Sequence, residues 1–453
     1  MVVVAQLVER WLVVPDVAGS NPVDHPRFDR YDVTPISAVD ERAMSTPSAP
    51  TSRGLLRPWH FILALGIVSL LADMVYEGAR SIIGPYLATL GASATVVGIV
   101  AGAGEFIGYG LRVVTGYAVV RTRRYWAWTI AGYALTALSV PLIGVTGILA
   151  PAMLLYGTER LGKAVRSPAK DTLLSYASQR TGRGTAFGVH QALDQTGAVL
   201  GPLLLAAVLS WRTGDYAFAF GVLIVPGVLV LAVLFWLRHR VPDPVLYETP
   251  ATDGPAPTRA AAREADTARP AARGLVGRFW LYAGAIAVLS AGVASFPLLA
   301  YHAQTAGLLT EPQVPLLFAA AMFVDGGSGL IMGRIYDRHG PRTLLVVPVA
   351  AAVSAIAFTQ NVALVWVGVI VWGVVNGVLD STVKAVVTEL VPSPSRAIAF
   401  GWLSFVRGAG LLLAGALLGA AYDLGTAAII TVILAANVVA FVGLVVVLRR
   451  FPR

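Results

Sequence analysis

Cysteine is absent from the 453 residues, which removes disulfides, thiol catalysis and cysteine-ligated metals from consideration. Charge is scarce too: 13% of the residues are Asp, Glu, Lys or Arg, against roughly a quarter in an ordinary soluble domain. No Gly-x4-Gly-Lys-Ser/Thr loop occurs, so no phosphate cradle for ATP-driven work is present. What the chain has instead is apolar surface. With 56% hydrophobic residues and a mean hydropathy of +0.71, it carries more than a soluble core can hide, and the lipid bilayer is its expected surroundings. The formal charge of +9 would suggest nucleic acid in a soluble protein. Here the basic residues collect in loops between apolar runs, which argues against a nucleic-acid partner.

A helix needs about 20 mostly apolar residues to cross the hydrocarbon core. Twelve stretches qualify: 60–88, 94–119, 125–146, 148–170, 184–210, 216–238, 278–301, 314–336, 343–360, 362–390, 396–421 and 426–449. One alternate set of loops holds nearly all the cations. Arg121, Arg123 and Arg124 follow the second span, Lys163, Arg166, Lys170, Arg180 and Arg183 lie around the join of the fourth and fifth, and Arg238 and Arg240 follow the sixth. Arg338 and Arg342 follow the eighth, Arg396 precedes the eleventh, and Arg449, Arg450 and Arg453 close the chain. The bias of Lys and Arg to cytoplasmic loops puts both termini in the cytoplasm and the protein, multi-pass, in the cell membrane. Trp59, Trp126, Trp128 and Trp211, near span ends, are expected to anchor at the interface.

Between the eighth and ninth spans the chain reads Gly333-Arg-Ile-Tyr-Asp-Arg-His-Gly-Pro-Arg342. This resembles the loop motif of the major facilitator superfamily, Gly-x3-Asp-Arg-x-Gly-x-Arg, with Gly333, Asp337, Arg338, Gly340 and Arg342 in place, where that family carries its second copy. The first copy is degraded: Gly116 is followed by Val120 where the family has an aspartate, then by Arg121 and Arg124. In the fifth span, Gly188-x8-Gly197-x3-Gly201-Pro202 resembles the motif of the superfamily's antiporters, with Leu205 and Ala206 replacing its final glycine pair. The resemblance implies an all-α integral membrane fold of twelve transmembrane helices in two six-helix halves. It also implies transport between those halves by alternating access, with Asp337 and Arg338 holding one conformation.

Internal repetition agrees with this. Arg183-Gly-Thr-Ala-Phe-Gly188 returns as Arg396-Ala-Ile-Ala-Phe-Gly401, and Gly188-x8-Gly197 returns as Gly401-x8-Gly410, both 213 positions later. Gene duplication about an axis along the membrane normal is how such transporters are built. The expected organisation is a tail at 44–58, a first half at 59–240, a proline-rich flexible cytoplasmic linker at 241–275, a second half at 276–449 and a tail at 450–453. Residues 1–43 fit none of this; they resemble the conceptual translation of a transfer RNA gene, which puts the expected start of translation at Met44.

Ionisable side chains at membrane depth mark a pathway or a paired structural site. Asp73 and Glu77, four apart, share a face of the first span with Arg80 close by, and Glu105 and Arg112, seven apart, share a face of the second. His190 and Asp194 lie one turn apart in the fifth. Asp325 lies in the eighth span, Asp380, Lys384 and Glu389 in the tenth, and Arg407 in the eleventh. Arg112, Lys384 and Glu389, near the cytoplasmic ends, read as structural partners, and the cluster Arg160 to Arg166 reads as surface charge facing lipid headgroups. Asp73, Glu77, Glu105 and Asp194 are the candidates for carrying a coupled proton, with Glu77 and Asp194 foremost. Tyr76, Tyr109, His190, Trp402 and Arg407 are the candidate substrate contacts. These features point to proton-coupled export of small organic molecules by a monomer that needs no cofactor or metal. Symport of a nutrient or metabolite, and a membrane-embedded enzyme or receptor, are the competing readings.

Overall fold

A computed structural model describes residues 56–178, 181, 183–247, 277–392 and 395–449. The reading of residues 1–43 lies outside them. Every regular element among the described residues is helical, as expected where lipid cannot satisfy an exposed backbone. The first half comprises α1 (Pro58–Thr89), α2 (Ala94–Thr122), α3 (Tyr125–Thr146), α4 (Leu149–Ser178), α5 (Arg183–Trp211), α6 (Tyr216–Val222) and α7 (Ile224–Arg240). The second comprises α8 (Gly277–Ala291), α9 (Phe296–Thr305), α10 (Gln313–His339), α11 (Val346–Ser354), α12 (Val362–Leu390), α13 (Arg396–Asp423) and α14 (Thr426–Leu448).

These helices make twelve crossings. α6 with α7 forms the sixth and α8 with α9 the seventh, while α11, flanked by the 3-10 turns Gly340–Leu345 and Ala355–Phe358, forms the ninth. Ten stretches are long and apolar enough to cross on composition alone; Gln313–Phe358 among them is long enough for two, divided where Gly340 adopts φ 64°. α4, excluded by its charges, completes the twelve. Helix starts are fixed locally: Ser93 caps α2 by accepting from the Val96 N–H, and Asn361 caps α12 by accepting from Ala363 and Leu364.

The glycine repeated at 197 and 410 does the same work in both halves. Gly197 and Gly201 of α5 sit directly against the α1 backbone at Leu70 and Met74, and Gly410 of α13 against the α8 backbone, where a Cβ would lie 2.5 Å from the Ala287 carbonyl oxygen. The repeat is therefore a repeat of packing, fifth crossing on first and eleventh on seventh.

The stretch expected to be linker from residue 241 is partly folded. Residues Pro244–Tyr247 form a 3-10 turn, and the Tyr247 hydroxyl donates to the Leu56 carbonyl at 2.7 Å while its ring packs on Phe61 at 5.4 Å. Trp126, expected at the lipid interface, is instead buried in this same seam; its Nε1 donates to the Val241 carbonyl at 3.0 Å. Residues 248–276 lie outside the described residues.

The halves are joined at one end. There Asp423, closing α13, accepts from the backbone N–H groups of Ala94 and Thr95 at 3.1 Å each and from the Thr95 hydroxyl at 2.6 Å, so it caps the start of α2. Glu311 accepts from the Gly214 N–H, and Gly84 abuts the carbonyl of Pro297. Gly98 and Gly102 of α2 face Gly415 and Gly419 of α13, each pair four apart, so the two backbones touch. At mid-depth the Gln195 amide donates to the Met322 carbonyl at 2.7 Å and to Asp325 at 3.4 Å. Towards the end that carries the basic loops, no hydrogen bond or ion pair joins the halves among the described residues.

Candidate functional site

Charges inside the first half form a connected chain. Arg80 of α1 lies 3.5 Å from Glu77 one turn before it and 3.3 Å from Glu105 of α2, and Glu105 lies 3.5 Å from Arg160 of α4. Arg160 approaches Glu159 at 2.9 Å, though without the alignment of a hydrogen bond. Both Glu159 and Arg160 are 1% exposed. Buried charges are tolerated only in such company, since an uncompensated one at this depth costs several kcal/mol.

α4 is what sequence reasoning missed. Glu159, Lys163, Arg166 and Lys170 follow one another at intervals of four, three and four, which puts them on one helical face. That face turns inward: Arg166 stacks on Tyr133 at 4.4 Å and on Tyr76 at 5.2 Å, and Lys163 lies over the same Tyr76 at 4.2 Å. The expectation that Arg160 to Arg166 face lipid headgroups is thus corrected. The spacing was the available signal, hidden because the charges were counted towards a loop at the helix end, whereas α4 runs on to Ser178. Glu105 and Arg112, which share a face of α2, have different neighbours. Glu105 goes to Arg80 and Arg160, while the Arg112 guanidinium lies 5.2 Å from the centre of the Tyr109 ring.

A second group of carboxyls adjoins this chain. Asp194 of α5 accepts from the Ser69 hydroxyl of α1, and Lys170 reaches that hydroxyl at 3.4 Å. His190, one turn before Asp194, is 5% exposed, and its Nε2 has no partner among the described residues. Asp73, 3% exposed, keeps one oxygen with no hydrogen-bond partner; its charged neighbours are Asp194, Arg166, Lys163 and Glu77. Of the four proposed proton carriers, Glu77 and Glu105 are thus paired with guanidinium groups and Asp73 and Asp194 are not.

In the second half Arg407 bonds Asp380 at 2.9 Å, and its guanidinium lies 5.1 Å from the centre of the Tyr109 ring, opposite in sequence but adjacent in space. Asp380 is 59% exposed although it lies inside α12, and Gln191 and Thr196 of α5 are exposed as well. Polar groups at that depth do not face lipid without cost, so these line a watered space. Glu389 accepts from the Tyr336 hydroxyl at 2.6 Å, in keeping with a structural role. Lys384 is exposed and has no ion pair among the described residues. Trp402 meets Trp280 and Phe405 edge to face and remains exposed, and Tyr76, buried, is enclosed by Lys163 and Arg166.

The motif at residues 333–342 lies at the basic end of α10 and in the turn after it. Asp337, Arg338 and Arg342 are exposed and make no ion pair among the described residues, and nothing stands within 4 Å of a Cβ built on Gly333. The contacts expected to hold one conformation are therefore not engaged here. In the other motif, Gly197 and Gly201 are packing contacts and Pro202 lies buried within α5, while Gly188 meets nothing within 4 Å.

Comparison with known proteins agrees with this architecture. The family model for the Major Facilitator Superfamily matches residues 65–346 and 281–453. The chain is 45% identical over 404 residues to the uncharacterised protein Rv2265 of Mycobacterium tuberculosis, covering 89% of this chain and 96% of that one. It is 29% identical over 185 residues to the uncharacterised MFS-type transporter MJ1317 of Methanocaldococcus jannaschii, 40% of this chain and 46% of that one. Among solved structures, a variant of the nucleoside transporter NupG superposes with a TM-score of 0.68 at 14% identity, covering 86% of this chain and all of that one. A variant of the peptide transporter POT in complex with alafosfalin superposes at 0.66 and 17% identity, covering 86% of this chain and 94% of that one. At those identities the likeness is one of fold.

Proposed function

The chain belongs to the Major Facilitator Superfamily, and from that premise we propose that it is a proton-coupled exporter of small organic molecules, working by alternating access as a monomer in the cytoplasmic membrane. The basic loops after α2, α7 and α10 support a cytoplasmic location for the open end and for both termini. On that orientation the arrangement is the inward-open one, sealed outside by Asp423, Glu311 and the glycines of α2 and α13. The disengaged Asp337 and Arg338 fit it, since their ion pairs are expected in the opposite state.

One observation carries the coupling: Asp73, buried, and Asp194, half-buried, lie near each other with no guanidinium partner among the described residues, beside a network in which the other carboxylates are already paired. A proton on this pair changes the charge of the first half without opening an ion pair, which is what a reversible carrier must do. Glu77 and Glu105, held by Arg80 and Arg160, serve as its fixed frame. The reading is tested in proteoliposomes with a compound first selected by its thermal stabilisation of the purified protein. An imposed pH gradient should drive its accumulation against a concentration gradient. Asp73→Asn and Asp194→Asn should lose that dependence while keeping gradient-independent exchange. Chemical conversion of the compound without movement would put the protein in a different class, and accumulation that follows the proton inward would make it a symporter.

A further inference from the structure

Two guanidinium groups, one from each half, converge on a single aromatic ring inside the helix bundle. Arg112 of α2 and Arg407 of α13 lie 5.2 and 5.1 Å from the centre of Tyr109, so their carbons are at most about 10 Å apart. Carboxylate is in short supply around them. Arg407, 9% exposed, uses one nitrogen for Asp380 and leaves its Nε buried without a partner. Arg112 has no carboxylate partner among the described residues, and its Nε too is buried and unpartnered. Glu105, the other acid within reach, is committed to Arg80 and Arg160. Asp380, with a side chain 59% exposed, shares its charge with water. Two cations thus meet one half-solvated anion, and donors that burial ought to have satisfied are left over.

We propose that Arg112 and Arg407, both beside the Tyr109 ring, form the recognition site for an anionic group of the substrate, a carboxylate or phosphonate carried on an aromatic body. The guanidinium fork matches such oxygens in pairs, and its hydrogen bonds to an anion are among the strongest that side chains make. Phe106 and Phe405, edge to face at 5.4 Å and also one from each half, supply the apolar wall beside it. Because the arms belong to different halves, an anion held between them links occupancy to the relative position of the halves. This assignment rests on the transporter reading and specifies its cargo.

The test uses the purified full chain and three probes of similar size: phenylphosphonate, the neutral benzamide and the cation phenyltrimethylammonium, with binding read by calorimetry and movement by counterflow in proteoliposomes. Saturable binding of phenylphosphonate is expected, weakened about tenfold or more in Arg112→Gln and in Arg407→Gln, as for loss of a charged hydrogen bond. Asp380→Asn should act in the opposite direction, tightening phenylphosphonate several-fold by freeing Arg407, a gain that a folding defect cannot imitate. Absence of phenylphosphonate binding to the wild-type protein overturns the assignment. So does phenylphosphonate affinity that all three variants leave unchanged. Counterflow of the amide or the ammonium alone overturns it too, and leaves the transporter reading standing.

Discussion

Gly102→Val is the substitution that asks most directly whether the outer seal is made by backbone contact. A Cβ on Gly102 would lie 2.6 Å from the Leu411 carbonyl oxygen and 2.9 Å from the Leu412 Cα, both backbone atoms of α13 with no freedom to swing away. Ordinary contact begins near 3.4 Å, so α2 and α13 must part by at least 0.8 Å, and the two valine methyls demand more. Overpacking of this kind costs about 1–3 kcal/mol. The cost falls on the sealed state alone, so the ratio of sealed to unsealed molecules should drop by about 5- to 150-fold. The chain has no cysteine, so a spin-label pair on Thr89→Cys and Leu424→Cys, exposed positions at the sealed end of opposite halves, reports the seal without background. The distance between the labels should lengthen in Gly102→Val, or a longer population should appear. Gly108→Val is the control on the same helix, because a Cβ there has nothing within 4 Å, and it should leave the distribution alone. An unchanged distribution in Gly102→Val, at normal expression and thermal stability, would refute the reasoning.

Other outcomes follow from the ion pairs and the seam. Glu105→Gln should lower the thermal stability of the purified protein, because it removes the carboxylate that Arg80 and the buried Arg160 share and leaves two guanidinium groups to Glu77 and Glu159 alone; an unaltered melting temperature would show that water reaches them. Asp337→Asn should leave the melting temperature untouched, since Asp337 has no ion pair among the described residues, yet slow counterflow by weakening the opposite state's; equal loss of stability and turnover would contradict this. Tyr247→Phe should cost about 1 kcal/mol in chemical denaturation through the bond to Leu56 and leave transport normal.

Most of the architecture was legible in the sequence, because a bilayer imposes length and polarity on every crossing. Glu77 and Arg80 were legible as well, being one turn apart on one helix. What stayed hidden depends on how helices face one another, which spacing within one helix does not encode. Glu105 and Arg112 share a face, yet Glu105 finds its partners on α1 and α4 and Arg112 finds a tyrosine. The inward face of α4 was missed because Lys163, Arg166 and Lys170 look like loop cations until the helix is known to continue to Ser178. Trp126 looked like an interface anchor, since nothing in its own neighbourhood announces that residues 241–247 fold back over it.

The central claim is that a proton on Asp73 and Asp194 is tied to which end of the molecule is open, and one measurement meets it without knowledge of the substrate. Spin-label distances are read between pH 5 and pH 8 for Thr89→Cys with Leu424→Cys at the sealed end and for Arg124→Cys with His339→Cys at the basic end. An exporter takes up its proton outside and releases it inside, so the proton-loaded protein is the one that turns inward. Acid should therefore shorten the first distance and lengthen the second, alkali should do the reverse, and Asp73→Asn and Asp194→Asn should remove the response. Distances that do not move with pH in the wild-type protein, or that move together at both ends, would contradict the account.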